Sequence, residues 1–414
     1  MSNLLWPTVP LSSLTSRIGD GIHGTPAYSE YGNYPFINGN NLKNGLIEIT
    51  DDTKRVDRKE YEKYFIRFDE KTLFLSINGT IGNLAKYRGE EIVLGKSAAY
   101  IKCTNINIDF LYYYFQLKEV RAHMWNVATG STIKNLSLAS IRELEIPKPP
   151  ENVAKKIAGV FSAIDKKIEL NNQINTKLEA MAKILYDYWF LQFNFPDSNG
   201  KPYKFAGGKM IYNPTLKRKI PDGWEESTIG EIEPNIITGK TPSKNNPEYF
   251  GGNIPFITIG DIRGNTYIVS TEETLTDKGA ATQKNKFLPE DSICVTCIAS
   301  PGLVGFVTTP AQTNQQINSL VCDNERNKYY LYFTIKSYFE GAKAKTGNTF
   351  ANMNKGDFSS ISILKPSNQV LQLYHQKAHP LFQQIKLKSL ENQQLIQIRN
   401  WLLPMLMNGQ VTIK

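Results

Sequence analysis

The chain repeats itself, and this repeat restricts its fold more than any other feature of the sequence. Residues 32–37 (GNYPFI) return as residues 252–257 (GNIPFI). Later landmarks keep one spacing of 217 positions, as in Thr129-Gly130 with Thr346-Gly347, Lys148-Pro149 with Lys365-Pro366, and Leu178 with Leu395. Matches that keep their order identify a tandem duplication, so we expect two similar halves.

Each half has the same internal plan. Short strand-like segments with Gly, Asn and Pro turns are followed by one long helical stretch. The predicted fold class is α+β, with two similar mixed α/β domains joined by two long helices. Packing these helices as an antiparallel coiled coil would relate the two domains by pseudo-two-fold symmetry. The expected boundaries are 1–150 for the first domain, 151–195 for the central spacer helix, 196–368 for the second domain and 369–414 for the C-terminal spacer helix.

Both helical stretches carry a coiled-coil pattern, because their apolar residues are spaced alternately four and three apart. The repeat spacing of 217 is a whole number of heptads, so both seams keep one phase. Asn175 and Asn392 occupy equivalent seam positions, where a buried polar residue fixes register. Pro380 predicts a start or a kink of the second helix near it. The predicted seam residues are Ile164, Ile168, Asn175, Leu178, Leu185, Leu381, Ile385, Asn392, Leu395 and Leu402. The alternative is that each helix packs only on its own domain.

Charge and cysteine content limit the function classes. The 48 Lys and Arg residues exceed the 39 Asp and Glu residues, and the net charge of +9 favours a polyanionic partner. Four cysteines in 414 residues do not suggest a disulfide framework. Neither a signal peptide nor a membrane-spanning segment is evident. These features lead us to expect a cytoplasmic protein.

Several short motifs resemble catalytic or metal sites without completing one. Residues 237–241 (ITGKT) have Pro234 where a phosphate-binding loop needs its first glycine. Cys294 and Cys297 form a CxxC without a second pair, which favours buried thiols over a metal site. His375 and His379 lack an apparent third ligand. Because methylase and nuclease motifs are also missing, we expect a non-catalytic chain without a metal or a cofactor of its own.

A duplicated globular unit, with Thr-Pro and Thr-Gly segments and a heptad helix after each copy, resembles the specificity subunit of Type I restriction-modification enzymes. The resemblance implies that each globular unit is a target recognition domain that reads one half of a bipartite DNA site. It also implies that the helices set the spacer and dock methylation subunits. The implied partners are double-stranded DNA, two methylation (M) subunits and, in the full complex, restriction (R) subunits. S-adenosylmethionine, ATP and Mg²⁺ would then belong to the partner subunits. Two alternatives are a two-domain DNA-binding regulator and a coiled-coil scaffold that binds no nucleic acid.

Loop residues with basic or amide side chains are the candidates for DNA contact, because such side chains bind phosphates and base edges. The alternative for each is an ordinary solvated surface position. The candidates in the first half are Lys43, Asn44, Lys96, Lys134 and Asn135, and those in the second half are Lys244, Arg263, Asn265, Lys345 and Asn348.

Overall fold

A computed structural model describes residues 6–346, 352–411 and 413 of the chain. The chain forms two compact units. Unit 1 comprises Met1–Lys166 with Leu395–Lys414, and unit 2 comprises Lys167–Gln394. Each unit contains its own mixed α/β fold and its own pair of long-helix segments, so the expected fold class is confirmed.

Among its described residues, unit 1 begins with eleven short strands and four short α-helices, and its long helix follows them. The strands are β1 (Thr8–Pro10), β2 (Thr15–Asp20), β3 (Tyr34–Ile37), β4 (Leu42–Lys43), β5 (Leu46–Ile47), β6 (Arg55–Val56), β7 (Thr72–Ser76), β8 (Leu84–Lys86), β9 (Val93–Leu94), β10 (Ala98–Cys103) and β11 (Glu145–Pro147). The helices are α1 (Arg58–Lys63), α2 (Ile108–Tyr114), α3 (Lys118–Val127), α4 (Leu138–Arg142) and α5 (Glu151–Tyr186). A π-helical turn, Asp187–Leu191, extends α5.

The part of unit 2 that the structure describes contains twelve strands and six α-helices in addition to its part of α5. The strands are β12 (Met210–Asn213), β13 (Arg218–Pro221), β14 (Glu225–Thr228), β15 (Ile236–Thr238), β16 (Phe250–Ile257), β17 (Tyr267–Ile268), β18 (Glu273–Leu275), β19 (Ile293–Thr296), β20 (Val304–Val307), β21 (Gln312–Thr313), β22 (Ile317–Leu320) and β23 (Ser362–Lys365). The helices are α6 (Ile229–Ile232), α7 (Ile259–Ile262), α8 (Asp277–Ala281), α9 (Glu325–Thr346), α10 (Lys355–Ser359) and α11 (Asn368–Met407).

The main sheets of the two units have the same strand order. Unit 1 has the order β2-β10-β7-β8, and unit 2 has the order β15-β22-β19-β20 with β17 added at the edge. The central strands β7 and β19 are buried throughout, as expected for strands with neighbours on both sides. Each unit also pairs an early strand with its last strand, β1 with β11 and β14 with β23. The tandem repeat in the sequence is therefore a repeat of topology.

Matching helix caps show how the repeat is preserved where the residues change. The Ser137 side chain accepts a hydrogen bond from Ser140 N at 3.0 Å and caps α4. The Asn354 side chain accepts one from Asp357 N, also at 3.0 Å, and caps α10. Ser and Asn are both good N-cap residues, so either begins the helix at this point.

Aromatic runs fill both cores. In unit 1, Phe110 and Tyr113 of α2 are buried with Phe161 of α5, and Leu406 and Met407 of α11 belong to the same cluster. In unit 2, the run from Tyr329 to Phe333 on α9 is buried with α11 side chains, among them Tyr374 and Phe382. Burial of each such ring against the long helices contributes roughly 2 kcal/mol, so the helices are integral to the cores.

The long helices α5 and α11 pair antiparallel within unit 2. Asn171 bonds Asn392 at 2.8 Å and Asn175 bonds Ser389 at 3.2 Å, so residue numbers rise along one helix and fall along the other. Helix α11 begins at Asn368 and contains Pro380. A start of this helix near Pro380, one of the two expectations, is therefore wrong, and a kink there stays a prediction. The exposed proline removes one backbone donor, and the apolar contacts on both sides keep the helix continuous.

Candidate nucleic-acid interface

In unit 1, loops at one end of the sheet join into a single surface that we call the first loop cluster, residues 20–24, 38–41, 76–83, 95–97 and 128–136. Three backbone bonds hold adjacent loops together. Ile77 N donates to Ser97 O at 2.9 Å, Leu136 N to Ile77 O at 2.8 Å, and Gly79 N to Lys134 O at 3.1 Å. The loops therefore form one ordered layer on the sheet, as is typical of recognition surfaces.

Unit 2 has an equivalent layer, the second loop cluster, residues 238–244, 258–263, 296–303, 313–317 and 352–354. Cys297 N donates to Gln316 O at 2.9 Å, and Met353 N donates to Cys297 O at 3.1 Å. These bonds reproduce those of Ile77 with Ser97 and of Leu136 with Ile77. The same backbone framework thus presents two different sets of side chains.

One turn in each cluster is held by a buried hydroxyl at the end of the central strand. The Ser76 hydroxyl accepts from Asn83 N at 2.9 Å, and that of Thr296 accepts from Leu303 N at 3.0 Å. Both hydroxyls also donate to a carbonyl four residues later, Thr80 O or Ser300 O. Ala299 adopts φ +63° in this turn, a strained value for a residue with a side chain, and such strain often marks functional loops.

A close backbone approach explains the ITGKT sequence. A Cβ atom on Gly239 would lie 2.2 Å from Asn314 O, and one on Gly21 of unit 1 would lie 2.0 Å from Leu94 O. Lys240 N donates to Thr313 O at 3.0 Å, so the segment runs beside the strand β21. A phosphate-binding loop would instead lead into a helix. Gly239 therefore permits strand packing in the second loop cluster.

The structure brings together three of the five candidates from the first half. Lys96 is exposed next to Ser97, and Lys134 and Asn135 lie on the neighbouring segment of the first loop cluster. Lys134 Nζ donates to Ala128 O at 3.2 Å, while the Asn135 side chain is exposed. These three residues share one polar surface with Asn78 and Thr80.

Lys43 and Asn44 lie apart from that surface, in the β4–β5 hairpin. Lys43 forms an ion pair with Glu48, and Asn44 has φ +50° in the turn. Arg263 and Asn265 occupy the equivalent connection in unit 2, because Gly45 O accepts from Lys86 N as Thr266 O accepts from Phe306 N. Arg263 also reaches Ser300 in the second loop cluster at 3.3 Å. Asn265 donates to Asp261 O at 3.0 Å.

The remaining second-half candidates are placed differently from expectation. Lys244 is exposed in the second loop cluster but pairs with Glu273 at 3.0 Å. Lys345 belongs to helix α9, so the expectation that it lies in a loop is wrong. The apolar and aromatic residues from Tyr329 onwards continue the helix past the expected turn. Asn348 lies outside the described residues.

Two residues of the second loop cluster escaped the sequence analysis. Asn352 is exposed at the position equivalent to Asn135, and Gln315 is exposed at the position equivalent to Lys96. The repeat spacing of 217 relates Asn135 to Asn352, so Asn352 could have been predicted from the sequence repeat. Gln315 follows a spacing of 219, because the loops differ in length, and only the backbone pairing reveals it.

The chemistry of both clusters suits recognition. Exposed amides, hydroxyls and backbone groups can donate to and accept from base edges, and the lysines can contact phosphates. The thiols do not contribute to this exposed surface: Cys294 and Cys297 are buried free thiols, as expected. Burial raises the pKa of Cys294 to about 12 and that of Cys297 to about 11, so both remain protonated.

The two histidines of α11 pack against the core. His375 stacks on Tyr329, whose hydroxyl lies 3.0 Å from Nδ1 of His379. Among the described residues, no group of three or more His, Cys, Asp or Glu side chains is arranged to hold a metal ion. None of the described helices is both long and apolar enough to cross a membrane.

The ten predicted seam residues lie on α5 and α11. Asn392 and Ile385 are buried, and the other eight are half-buried. Asn392 bonds Asn171 and Asn172, each at 2.8 Å, whereas Asn175 bonds Ser389. Ile164 and Leu402 pack against the unit 1 core; Leu178, Leu185 and Leu381 pack against the unit 2 core. The two remaining seam residues are Ile168 of α5 and Leu395 of α11, both half-buried.

Comparisons with known proteins give one consistent family. The model of the Type I restriction modification DNA specificity domain matches residues 18–180 and 221–400. The Type I restriction enzyme HindI specificity subunit of Haemophilus influenzae is 30% identical over 335 residues, which cover 68% of this chain and 72% of that protein. The MjaIX specificity subunit of Methanocaldococcus jannaschii is 26% identical over 395 residues, or 92% and 88% of the two chains.

A solved structure shows the same fold. The Type I restriction-modification system S subunit from M. genitalium superposes with a TM-score of 0.56 at 17% identity, over 98% of this chain and 97% of that one. The tandem α/β units with two long helices are thus an arrangement that has been observed in a solved structure.

Proposed function

This chain belongs to the family of Type I restriction-modification DNA specificity subunits, and we propose that each of its units recognises one half of a bipartite DNA sequence. The chain is a specificity subunit that is not itself catalytic. DNA is its substrate for recognition, and the chemistry on DNA belongs to its partners. A regulator or a scaffold without nucleic acid would not account for this family membership.

The observation that carries the proposal is the equivalence of the two loop clusters. Their backbone bonds match, but Lys96 is replaced by Gln315 and Asn78 by Ile298 at equivalent positions. Because the backbone bonds match, each loop cluster has the same position on the sheet of its own unit. The different side chains offer different hydrogen-bond patterns to base edges. We therefore infer two different half-sequences, which make an asymmetric site.

We propose residues 1–150 and 196–368 as the two target recognition domains and residues 151–195 and 369–414 as the spacer helices. The strand-to-helix junctions support this division. Strand β11 ends at Pro147 before α5 begins at Glu151, and β23 ends at Lys365 before α11 begins at Asn368.

A domain exchange tests the proposal. Residues 1–150 are replaced by the corresponding domain of a relative with a known target, and methylated sites are mapped in cells that contain the partner subunits. We expect one half of the site to change and the other half and the spacer to persist. The reciprocal exchange of residues 196–368 is the matched control and should change the opposite half. A change in both halves after either exchange would reject independent reading.

We also propose that the helices set the spacer between the half-sites. One heptad inserted between Lys167 and Asn175 adds about 10 Å of helix, comparable with roughly three base pairs. Because Asn171 and Asn175 bond Asn392 and Ser389 across the pair, a second heptad must be inserted into α11 to preserve these contacts. We expect a longer spacer with both half-sites unchanged. An unaltered spacer in a folded, active double insertion would exclude the helices as the ruler.

We propose two methylation subunits as partners because exposed apolar residues recur at equivalent positions along both helices. Leu170, Met181 and Ile184 of α5 are exposed, and so are Leu387, Ile398 and Trp401, which lie 217 positions later on α11. Exposed apolar side chains grouped on a helix mark contact surfaces. Recurrence at equivalent positions supports two docking sites for two copies of one partner, the methylation subunit.

Restriction subunits would join the full complex. The proposed partners supply S-adenosylmethionine chemistry for methylation and ATP with Mg²⁺ for restriction, in the cytoplasm where the DNA lies. The pure chain should then show neither methyl transfer nor cleavage in the presence of these cofactors. Incorporation of labelled methyl groups into duplex DNA by the pure chain would reject this division.

A further inference from the structure

A strongly basic segment of unit 2 lies outside both loop clusters. Residues 201–219, which we call the basic hairpin, contain β12, the first two residues of β13 and the chain that leads into β12. They carry six cationic residues and no acidic residue, in a protein whose net charge is +9. No other stretch of this length without acidic residues carries more than four cations. The cations are Lys201, Lys204, Lys209, Lys217, Arg218 and Lys219.

All six of these side chains are exposed. Lys209 pairs with Asp222 at 3.0 Å, and Arg218 lies over the ring of Phe193 at 5.5 Å. Within the described part of the chain, the other five cations form no ion pair with a carboxylate. The positive charge is therefore uncompensated by the protein itself, which leaves it available to an external anion.

The basic hairpin is held in one conformation by its base. Phe195 stacks on Tyr203 and on Trp224, with ring centroids 4.6 and 4.8 Å apart. The Tyr203 hydroxyl donates to Lys209 O at 2.8 Å. A two-stranded hairpin alone is marginally stable, so this aromatic base is what orders it. Binding to a preformed surface loses little conformational entropy.

Three of the cations are consecutive at the tip of the hairpin, with Arg218 and Lys219 on opposite faces of β13. Tyr212 lies opposite Lys219, and Asn213 lies opposite Arg218. Directly opposed residues of an antiparallel pair project from the same face. Lys217, at φ +51° in the turn, continues this run, so three consecutive cations flank the tip of the hairpin.

We propose that the basic hairpin binds the phosphates of duplex DNA without regard to sequence, as a contact separate from the loop clusters. The proposal rests on the proposed DNA-recognition function and adds a site to it. A duplex presents one negative charge per ~1.7 Å of axis, and clustered lysines release its counterions on binding. The charge pattern favours this ligand over an acidic protein surface, because the basic hairpin presents six exposed cations and no carboxylate that would select a complementary protein partner.

The test compares the full-length chain with a triple variant, Lys201→Gln, Lys217→Asn and Lys219→Gln. Asn is used at position 217 because it tolerates the left-handed backbone there. The control variant replaces three exposed lysines of unit 1 that lie outside the first loop cluster, Lys59→Gln, Lys71→Gln and Lys118→Gln. Affinity for a duplex containing the target site and for a scrambled duplex is measured by fluorescence anisotropy over a range of KCl concentrations. Circular dichroism verifies that all three proteins are folded.

We expect the triple variant to bind both duplexes about tenfold or more weakly near 0.1 M salt, with the slope of log K against log[KCl] smaller by about three. The ratio of the two affinities should stay constant, because phosphate contacts carry no sequence information. The control variant should retain the original slope.

Equal slopes for the original chain and the triple variant would overturn the proposal. Loss of binding to a purified methylation subunit, with DNA binding intact, would instead assign the basic hairpin to a protein partner and would also overturn it. If the original chain binds neither duplex, the proposed function fails first, so the two failures are distinguishable.

Discussion

At the scale of single residues, Asp291 joins two buried lysines of unit 2. Its carboxylate accepts from Lys328 Nζ at 2.8 Å and from Lys386 Nζ at 3.1 Å, and Glu290 also pairs with Lys386. Burial opposes the charged form, but the two lysines outweigh it and hold the pKa of Asp291 below its ordinary value. The ionised Asp291 therefore stabilises the folded protein fully at pH values above its unfolded-state pKa of about 3.9. This stabilisation is lost as the pH falls through the lower folded-state pKa.

We expect Asp291→Asn to lower the free energy of unfolding at pH 7 by about 3 kcal/mol, because it leaves two buried ammonium groups without their shared counter-charge. Asn also tolerates the φ of +65° at this position, so the backbone is not the cause. Urea titration measures the change. Asp222→Asn, which removes an exposed ion pair with Lys209, is the control and should change stability by less than about 1 kcal/mol. Equal stabilities for the two variants would contradict the central role of Asp291.

Asn135 and Asn352 are the equivalent exposed amides of the two loop clusters. If each amide contacts a base edge, Asn135→Ala should relax the requirement for a particular base at one position of one half-site. Asn352→Ala should relax it at one position of the other half-site. Each change should cost about 1–3 kcal/mol of discrimination. Methylome sequencing of cells that express each variant measures this. Methylation at the original site with undiminished selectivity in both variants would remove these amides from the recognition surface.

Side-chain type and loop composition were enough to find Lys96, Lys134 and Asn135, which do share one surface in unit 1. They were not enough for Lys345, because nothing local ends helix α9 before Thr346. Proximity between loops depends on backbone bonds between residues far apart in sequence, such as that of Ile77 with Ser97. Those bonds form only once the sheet has its register.

At the scale of elements, the buried amides between α5 and α11 specify how the two helices align. Asn171 donates to Asn392, which donates to Asn172, each at 2.8 Å. We expect Asn392→Leu to lower the free energy of unfolding by about 2 kcal/mol, because the buried Asn171 loses its bond to Asn392 and keeps only its bond to Glu391. The double variant Asn171→Leu/Asn392→Leu should recover most of that loss, because it buries two apolar groups instead.

A double-mutant cycle from urea titrations gives the coupling between these two positions. Gln173→Leu, at an exposed position of the same helix whose side chain bonds Glu169 and lies outside this amide network, is the control. Additive effects of the Asn171 and Asn392 substitutions would show that the amide pair does not act as a unit.

The heptad pattern and the repeat were sufficient to predict both long helices and their pairing, because the 4-3 spacing is a local property that needs one partner surface. The antiparallel direction came from the family resemblance. Local rules failed at Pro380. A proline costs roughly 3 kcal/mol in a helix, and the buried contacts of Tyr374, Ala378 and Phe382 around it offset that cost. The basic hairpin was also not foreseen, since its two strands lack the alternation of apolar and polar residues that signals a half-buried strand.

At the scale of the whole molecule, the recurring apolar positions predict the stoichiometry of assembly. Met181, Ile184, Ile398 and Trp401 are 56%, 68%, 47% and 65% exposed. We expect Trp401→Glu to reduce the number of bound methylation subunits from two to one, and Ile184→Glu/Trp401→Glu to abolish binding, because a charge in an apolar contact is strongly unfavourable. Light scattering after size-exclusion chromatography measures the mass of each complex. Gln397→Glu adds the same charge at an exposed position and should leave two subunits bound. Two bound subunits in the double variant would place the docking surface elsewhere.

Unit 1 draws its core from both ends of the sequence. Leu403, Leu406 and Met407 of α11 are buried with Phe110 and Phe161, while every residue of unit 2 lies in the continuous stretch Lys167–Gln394. During synthesis on the ribosome, unit 2 can therefore close its core first, although it comes second in the sequence. Unit 1 cannot complete its core until translation has passed residue 407, and its apolar core residues stay exposed until then. If translation terminated near residue 394, unit 2 would fold, but unit 1 would expose apolar surface of the kind that chaperones and proteases bind. The fold thus contains its own check that translation has run to this point before the first half becomes competent.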